Sequence, residues 1–361
     1  MVKKYNYINV EMRLYEMNGK PLIIWGRGEN AIRLFLRLKF AQVNIIGFTD
    51  SFVKDSGESF CGVKVYTFDE LREAGDINIY ISIQHYIWRQ EILEKLEGLS
   101  NATVYMNGTV WGCGIYDQER LKEITSRDKA EIDFVRSNLE DEKSVRTFDN
   151  LLDYRVNGQA NLIKEVQENM HEQYFPGTEI FTLQPGEVFI DAGAYSGETS
   201  EAFSKWCGDY SKIYLMEPDT LMFQVASEYI KLKNIKNVIF VNKGAYSYAT
   251  EIAFVNDAAL GSSNINKSGT DEIRTISIDD MLNGEKVTYI KMDIEGAEME
   301  ALCGAEKTIR KYMPKLAISV YHKDDDIWKI PCYIKRKYPQ YKLFIRHYTP
   351  FTTETILYAT T

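Results

Sequence analysis

The stretch VFIDAGAYSGETS, residues 188–200, predicts a buried strand, a glycine turn and the start of a helix. The strand ends at Asp191, and a Ser/Thr-containing segment opens the helix. Small residues let a ligand approach the turn, with the helix N-terminus facing it; they are Gly193, Ala194 and Gly197. The spacing is not G-x-G-x-x-G, so the pattern does not point first to a pyrophosphate.

A second acidic residue favours a nucleoside ligand. The next apolar strand ends at Glu217, 24 residues after Gly193, where nucleoside-binding sheets hold ribose hydroxyls. Acids at both strand ends fit a cationic or neutral nucleoside better than a dinucleotide. S-adenosylmethionine has this character, because its ammonium and sulfonium groups are positive and its ribose is unphosphorylated. The alternative is a tight turn whose acids complement the dipole of the following helix.

A third strand end lies in YIKMDIEGAEMEALCGAEKTI, residues 289–309. Asp293 ends this strand, and Glu295 follows before a helix begins. Ligands of open α/β sheets bind outside the carboxyl ends of the strands, so we expect Asp293 in the same cleft as the two earlier acids. The alternative for Glu298 and Glu300 is surface charge on the helix, and we interpret Glu300 in this way.

Several stretches, in chain order, resemble the FkbM family of S-adenosylmethionine-dependent methyltransferases. They are VFIDAGAYSGETS, YLMEPD, TISIDDML, VTYIKMDIEGAEMEALCGAEKTI and PKLAISVYH, and they lie within about residues 174–359. DIEGAE and SVYH are the most specific of these motifs. The resemblance implies an α/β fold with a class I methyltransferase sheet of seven strands, the last antiparallel. It also implies O-methylation, commonly of sugars in polysaccharides or natural products.

The resemblance also implies site residues. The cofactor turn would comprise Asp191, Gly193, Ala194 and Gly197, and Glu217 would hold the ribose. The remaining predicted cofactor contacts are Tyr195, Thr199 and Pro218, which flank these positions, and Tyr174, which lies upstream of the loop. The segment EQYF, residues 172–175, resembles one that often precedes the motif and covers the cofactor. The sequence departs from the commoner glycine pattern at Tyr195, on the side of the cofactor's methionine group.

Methyl transfer to a sugar hydroxyl needs a group that accepts the hydroxyl proton. His322 ends the strand-like run KLAISVYH and is the first predicted base, since its ordinary pKa is near 6.5. Asp293 would orient it or the acceptor, and Glu295 is the reserve base. Alternatively, His322 caps the following KDDD turn or pairs with Asp324. A further alternative is Mg²⁺ held by Asp293 and Glu295, although the sequence itself does not indicate a metal.

The stretch IIWGRGENA, residues 23–31, predicts another strand, glycine turn and helix. Gly26 and Gly28 match the start of a dinucleotide fingerprint, and Asp50 ends the next strand 24 residues after Gly26. This region resembles the Rossmann-like N-terminal domains of bacterial sugar-modifying enzymes. It would bind a nucleotide or nucleotide-sugar, have a structural or oligomerising role, or act as a dehydrogenase. His85 is a candidate proton donor, and its alternative is a structural histidine.

The order of strand-like and helix-like patterns along the sequence predicts three segments. Strands and helices alternate in a small Rossmann-like domain over residues 1–108, and helical periodicity dominates a connector over 109–170. Alternation resumes in the predicted methyltransferase domain, residues 171–361, which closes with the runs YKLFIRHY and ETILYAT as a hairpin. The second half is therefore expected to be a parallel sheet with an antiparallel end.

Composition excludes several classes of protein. The chain has 361 residues, 45% of them hydrophobic, and a formal charge of −9, which argues against a broad nucleic-acid surface. No apolar run approaches a membrane span, so we expect a cytoplasmic protein. The five cysteines never form a C-x-x-C pair, which favours reduced thiols; they are Cys61, Cys113, Cys207, Cys303 and Cys332.

Three functions are compatible with these patterns. The first is an S-adenosylmethionine-dependent O-methyltransferase whose partner is a small-molecule or glycan acceptor. The second is a nucleotide or nucleotide-sugar binding scaffold of a glycan-assembly pathway. The third is an NAD-dependent sugar oxidoreductase or epimerase, which would need the first glycine loop to be the working one, and no Tyr-x-x-x-Lys pair follows that loop. A homo-oligomer is compatible with each of them.

Overall fold

The structure is a computed structural model of the chain. It describes residues 6–8, 19–83, 86–107, 118–158, 161–257, 262–265, 271–350 and 352–361. The chain divides into two compact units. The first comprises Met1–Val110, Gln224–Leu232 and Asn256–Ser263, and the second comprises Trp111–Phe223, Lys233–Val255 and Asn264–Thr361. The division into segments 1–108, 109–170 and 171–361, made from the sequence, stays a prediction.

The first unit contains a seven-stranded sheet. Its strands are β1 (Asn6–Ile8), β2 (Leu22–Trp25), β3 (Ile45–Thr49), β4 (Ser59–Phe60), β5 (Val63–Val65), β6 (Ile77–Ile81) and β7 (Ala102–Asn107). Their order is β1-β7-β6-β2-β3-β5-β4, and within it only β4 and β5 pair antiparallel. The helices are α1 (Glu29–Phe40), α2 (Phe68–Glu73) and α3 (Tyr86–Leu96). The predicted alternation of strands and helices is confirmed, and β2 is fully buried, as a central parallel strand should be.

Helices and strands alternate again after the first unit's sheet. The helices are α4 (Gln118–Arg127), α5 (Lys129–Ser137), α6 (Glu142–Asn157), α7 (Asn161–Lys164), α8 (Glu198–Cys207), α9 (Thr220–Leu232), α10 (Ile278–Leu282), α11 (Glu298–Cys303), α12 (Glu306–Tyr312) and α13 (Asp326–Lys337). The strands are β8 (Glu187–Ala192), β9 (Tyr210–Met216), β10 (Val238–Val241), β11 (Gly244–Ala245), β12 (Glu251–Asp257), β13 (Ser262–Ile265), β14 (Asp271–Ile276), β15 (Tyr289–Met292), β16 (Lys315–Ser319), β17 (Lys342–His347) and β18 (Thr355–Thr360).

A second seven-stranded sheet has the order β10-β9-β8-β15-β16-β18-β17. β18 runs antiparallel to both of its neighbours, and the remaining pairs are parallel. The predicted seven strands with an antiparallel last strand are confirmed, and so is the predicted hairpin of β17 and β18. The hairpin places its second strand, β18, inside the sheet, beside β16.

The centre of this sheet is buried on both faces. β15 is buried along its length, and β8 packs Phe189 against Phe203 of α8 with ring centroids 4.3 Å apart. Such burial fixes the two strands relative to each other, so that Asp191 of β8 lies opposite Lys291 of β15. The carboxyl ends of β8, β9, β15 and β16 therefore form one edge, and the predicted site residues of this domain, Tyr174 apart, lie at or after these ends.

A further sheet of four strands was not predicted. Its order is β11-β14-β12-β13, and it lies in the chain between β10 and β15. The sequence of this region is rich in polar residues, as in SGTDE at 268–272, and such a composition favours loops over strands, so the strand pattern was obscured.

The predicted helical segment over 109–170 contains α4 to α7. Asp141 accepts a hydrogen bond from the Ser144 backbone N–H at the start of α6, and Gly158 ends that helix in the left-handed region with φ 73°. Among the described residues, no helix is long and apolar enough to cross a bilayer. Four of the five cysteines are free thiols, and Cys113 lies outside the described residues.

Candidate active site

The glycine loop joins β8 to α8. Gly193 and Gly197 have φ values of 77° and 88°, which favour glycine. A Cβ atom on Gly193 would lie 1.8 Å from the carbonyl oxygen of Asp293, so this glycine allows the end of β15 to approach the loop. The backbone N–H groups of Gly193 and Ala194 donate to the Met216 carbonyl, which ties the loop to the end of β9.

Tyr195 lies at the exposed side of this loop. It adopts φ 47°, an uncommon value for a residue with a side chain, and 42% of its surface is exposed. Its backbone N–H donates to Oε2 of Glu217 over 2.8 Å. Thr199 lies in the first turn of α8, half-buried. The loop therefore presents an aromatic ring to solvent while its backbone is held by the acid that ends the next strand.

Glu217 is buried directly after β9, with 7% of its surface exposed. Its Oε1 accepts from the Asp219 N–H over 2.9 Å, and Asn242 donates to the carbonyls of Glu217 and Pro218. Burial raises the pKa of Glu217 to about 8, although the two backbone donors, at Asp219 and Tyr195, oppose the shift. This carboxyl group therefore changes its charge close to neutral pH.

Asp191 lies beneath the loop and is fully buried. One oxygen, Oδ1, lies 3.1 Å from Nζ of Lys291, and the other accepts from the Ser200 hydroxyl over 2.7 Å. Lys291 also donates to the Gly193 carbonyl over 2.7 Å. Burial acts to lower the pKa of Lys291, but the surrounding carboxylates, first Asp191, together raise it. Asp191 thus supports the loop from inside instead of presenting a free carboxylate at its surface.

The acid that ends β15 and the histidine that follows β16 come together. Nε2 of His322 lies 3.4 Å from Oδ1 of Asp293 and 3.5 Å from Oε2 of Glu295, and its Nδ1 lies 2.9 Å from Oε1 of Glu298. Glu298, at the start of α11, also accepts from the Ile294 N–H and is fully buried. Glu298 is therefore not a surface charge, which was its alternative interpretation. The alternative partner of His322 was Asp324, but Asp324 pairs with Arg120 and not with His322.

The pKa values of the residues in this cluster depart from the ordinary values of their side chains. Burial acts to lower the pKa of His322, but the surrounding carboxylates, first Glu298, raise it to about 10. Burial raises the pKa of Glu295 to about 7, although His322 opposes the shift. Burial also acts to raise the pKa of Asp293, but Lys291 and His322 hold it below its usual value. At neutral pH His322 is thus an imidazolium, which weighs against its predicted role as the base.

Two tyrosines and a distant glutamate complete the cluster. The Tyr174 hydroxyl donates to Oδ2 of Asp293 over 2.7 Å, which joins Tyr174 to the acid after β15. The Tyr321 hydroxyl lies 3.2 Å from Oδ1 of Asp293 and 3.3 Å from Oε1 of Glu354. Burial, with Asp293, raises the pKa of Glu354 to about 7.

The residues that could hold a metal ion in the structure differ from the predicted pair of ligands. Asp293, Glu298 and His322 each offer one ligand atom, and these atoms lie within 4.8 Å of one another. Glu295, which the sequence placed beside Asp293 as a ligand, is outside this group. Two carboxylates and an imidazole suit a transition metal better than Mg²⁺, which prefers oxygen ligands.

Sequence reasoning missed three residues of the site. Lys291 interrupts the apolar run YIKM of a central strand, and a lysine there is a detectable signal for a buried charge partner. Tyr321 precedes His322, so its position offered a weak signal. Glu354 lies in the β17–β18 connection, and no local pattern marks it.

In the first unit, the second glycine loop follows β2. Gly26 and Gly28 flank Arg27 at the start of α1, and Asp50 follows β3, so the three predicted residues lie at the carboxyl ends of neighbouring strands. All three line one cavity. His85 lies outside the described residues.

Comparison with known proteins agrees with this arrangement. A family model described as the methyltransferase FkbM domain matches residues 191–349. The crystal structure of methyltransferase FkbM from Methylobacillus flagellatus superimposes with a TM-score of 0.60 at 22% identity, covering 98% of this chain and 94% of that chain. A comparison with curated proteins gave no match.

Two further solved structures are similar to about half of the chain. An rRNA methylase from Streptococcus thermophilus has a TM-score of 0.34 at 14% identity and covers 52% of this chain and 91% of its own. A Streptococcus mutans methyltransferase solved in complex with SAH has a TM-score of 0.32 at 15% identity and covers 50% of this chain and 92% of its own.

The strand order and the antiparallel last strand define a class I methyltransferase fold in the second unit, preceded by a smaller α/β unit. Within that fold, residues 191–349 are an FkbM methyltransferase domain.

Proposed function

We propose that the protein transfers a methyl group from S-adenosylmethionine to a hydroxyl oxygen, on a sugar of a glycan or natural-product precursor. The FkbM methyltransferase domain supports the reaction class. The observation that carries the cofactor assignment is Glu217, whose carboxyl group follows β9 and is joined to the glycine loop by the Tyr195 N–H. Each of its oxygens keeps a second lone pair with which to accept a ribose hydroxyl.

The residues present fit this cofactor by their charge. S-adenosylmethionine supplies an electrophilic methyl group on a positive sulfonium. The loop and strand ends supply carboxyl groups for a cationic ligand, at Glu217, Asp293 and Glu295. Asp191 and Lys291 hold the loop in place from below, and the exposed Tyr195 offers a ring surface beside it. The chain's own contribution is to hold the acceptor oxygen in line with the methyl group.

The acceptor proton needs a base with a pKa near the working pH. Glu295, with a pKa raised to about 7, meets this condition better than His322, which is protonated at neutrality. In the proposed mechanism Glu295 accepts the hydroxyl proton, His322 stabilises the neighbouring carboxylates, and Asp293 orients the acceptor. The hydroxyls of Tyr174 and Tyr321 fix the Asp293 carboxylate.

Calorimetric titration with S-adenosylhomocysteine tests the cofactor assignment. At pH 9, above the pKa of about 8 that burial gives Glu217, we expect binding to the wild-type protein, and weaker binding by about 1.5 to 3 kcal/mol in Glu217→Gln, because a hydrogen bond to a charged group is lost. Glu119→Gln is the matched control, since the Glu119 side chain is 86% exposed. Equal affinity of wild type and Glu217→Gln would refute the ribose assignment.

Methyl transfer is tested with isotopically labelled S-adenosylmethionine and a panel of sugars, nucleotide-sugars and glycan precursors. We expect label in a product whose fragmentation places the methyl group on oxygen. With an acceptor in hand, Glu295→Gln is expected to slow transfer by about 100-fold or more, the usual effect of a positioned base. Cofactor binding without transfer to any hydroxyl compound would favour the binding-scaffold alternative.

A further inference from the structure

A cavity of about 790 Å³ lies in the first unit, at the carboxyl ends of β2, β3 and β6. Its volume is within the usual range for small-molecule sites. After β2 the chain passes through α1 to β3 on one side, and β6 pairs with the other side of β2. The cavity therefore lies where the strand order reverses, which is the usual ligand site of an open α/β sheet.

The two glycines beside the cavity differ in whether the fold needs a glycine at that position. Gly26 has φ 118°, and a Cβ atom there would lie 2.5 Å from Oγ of Ser82, so the fold itself needs glycine at this position. Gly28 has φ −82°, which any residue adopts, and a Cβ atom there would meet no atom within 4 Å. The space beside Gly28 therefore belongs to the cavity, and it lies at the N-terminus of a 12-residue helix.

Opposite charges line the same space. Arg27, between the two glycines, donates through Nε to Asp50 and through Nη1 to Oε2 of Glu58 over 2.6 Å. Asp50 follows β3, the position from which such sheets bind ribose hydroxyls. A guanidinium next to a helix N-terminus favours phosphate oxygens. A phosphate that engaged Arg27 would also release Asp50 for a ribose.

Exposed aromatic rings complete the cavity. Phe52 is 82% exposed and Trp88 is 58% exposed, and both line it. Large exposed rings beside a concave site mark ligand-binding surfaces, and nucleobases stack on them. We propose that the first unit binds a nucleotide, with the phosphate at Arg27 and Gly28, the ribose at Asp50 and the base against these rings.

Calorimetric titration of the full chain tests this site. UDP, ADP and NAD are the nucleotide probes, and inorganic phosphate is the probe for simple anion binding. We expect at least one nucleotide to bind, and Gly28→Val to weaken it by about tenfold or more, since a valine side chain occupies the cavity without straining the backbone. Gly75→Val is the matched control, because Gly75 is exposed and also has open space around it.

Each other outcome overturns the proposal. Absence of binding for all three nucleotides does so, and so does equal affinity in Gly28→Val and Gly75→Val. Binding of inorganic phosphate as tightly as of the nucleotides would show an adventitious ion only. Nucleotide binding that S-adenosylhomocysteine competes away would place the nucleotide in the methyltransferase domain. S-adenosylhomocysteine affinity itself is expected to stay the same in both glycine variants, which keeps this test separate from that of the proposed function.

Discussion

Replacement of Lys291 by Met should destabilise the second unit strongly. Nζ of Lys291 is buried between Oδ1 of Asp191 at 3.1 Å and the Gly193 carbonyl at 2.7 Å. Met preserves most of the side-chain volume but removes the charge and the hydrogen bond. Asp191 is then left as a buried carboxylate without its cation, because the Ser200 hydroxyl is its other contact.

The magnitude follows from this burial. Breaking a buried pair by removing one partner costs about 3 to 5 kcal/mol, because the remaining charge is uncompensated. Lys212→Met is the matched control on β9, which pairs with the other side of β8. The Lys212 side chain is 31% exposed and its partner Glu285 is 40% exposed, so this change should cost less than about 1 kcal/mol. The double variant Lys291→Met with Asp191→Asn should recover most of the loss.

Hydrogen exchange in peptides from β8 and β15, measured across a urea series, gives the free energy of opening of this sheet alone. This readout avoids assuming that a chain with two units unfolds in one step. A loss in Lys291→Met no larger than that in Lys212→Met would refute the reasoning. So would a double variant less stable than Lys291→Met, since the loss would then not arise from an uncompensated charge.

Three further outcomes are expected. The pKa of His322 is raised to about 10 in the folded state, so its contribution to stability is full below about pH 6.5 and lost as pH rises to 10. The opening free energy of β15 peptides, measured by the same hydrogen exchange, should therefore vary less between pH 7 and 9 in His322→Gln than in wild type, and parallel curves would contradict the imidazolium assignment. Gly193→Ala should cost more than Gly177→Ala by at least about 1 kcal/mol of opening free energy in β8 peptides, measured by the same hydrogen exchange, because both glycines have positive φ but a Cβ atom only at 193 meets a carbonyl oxygen. EDTA should leave the methylation rate unchanged if Glu295 is the base, whereas loss of activity restored by a transition metal would favour the metal alternative.

Local patterns were sufficient to predict the sheet and the ends of its strands. Apolar runs bounded by acids and glycines identified β8, β9 and β15, because a buried parallel strand must be apolar along its length. The same rule placed Asp293 and His322 at neighbouring strand ends, and the structure brings them within 3.4 Å. Sequence position was enough here because parallel strands direct their carboxyl ends to one edge.

Features that depend on pairing across the sheet were not predictable. Asp191 and Lys291 meet because β8 and β15 pair in one particular register, which no segment of either strand encodes alone. Glu354 reaches the cluster because the hairpin inserts β18 beside β16. The charge of His322 depends on Glu298, a residue whose spacing was equally compatible with a helix surface.

The raised pKa of Glu295 connects cofactor binding to the chemical step. A carboxyl group with a pKa near 7 is only partly ionised in the free protein at neutrality. A sulfonium placed beside it, as the proposed function requires, favours the carboxylate, since an opposite charge at short range stabilises the charged form. The cofactor would thus generate the base as it binds. S-adenosylmethionine and S-adenosylhomocysteine differ in that charge, so their affinity ratio should rise between pH 6 and 8. Two other groups should not change this ratio. His322 stays protonated throughout this pH range, and contacts with the ribose, which both ligands share, cancel in the ratio. Calorimetry of both ligands with wild type and Glu295→Gln measures the effect. An affinity ratio independent of pH in the wild-type protein would show that the sulfonium does not bind beside Glu295.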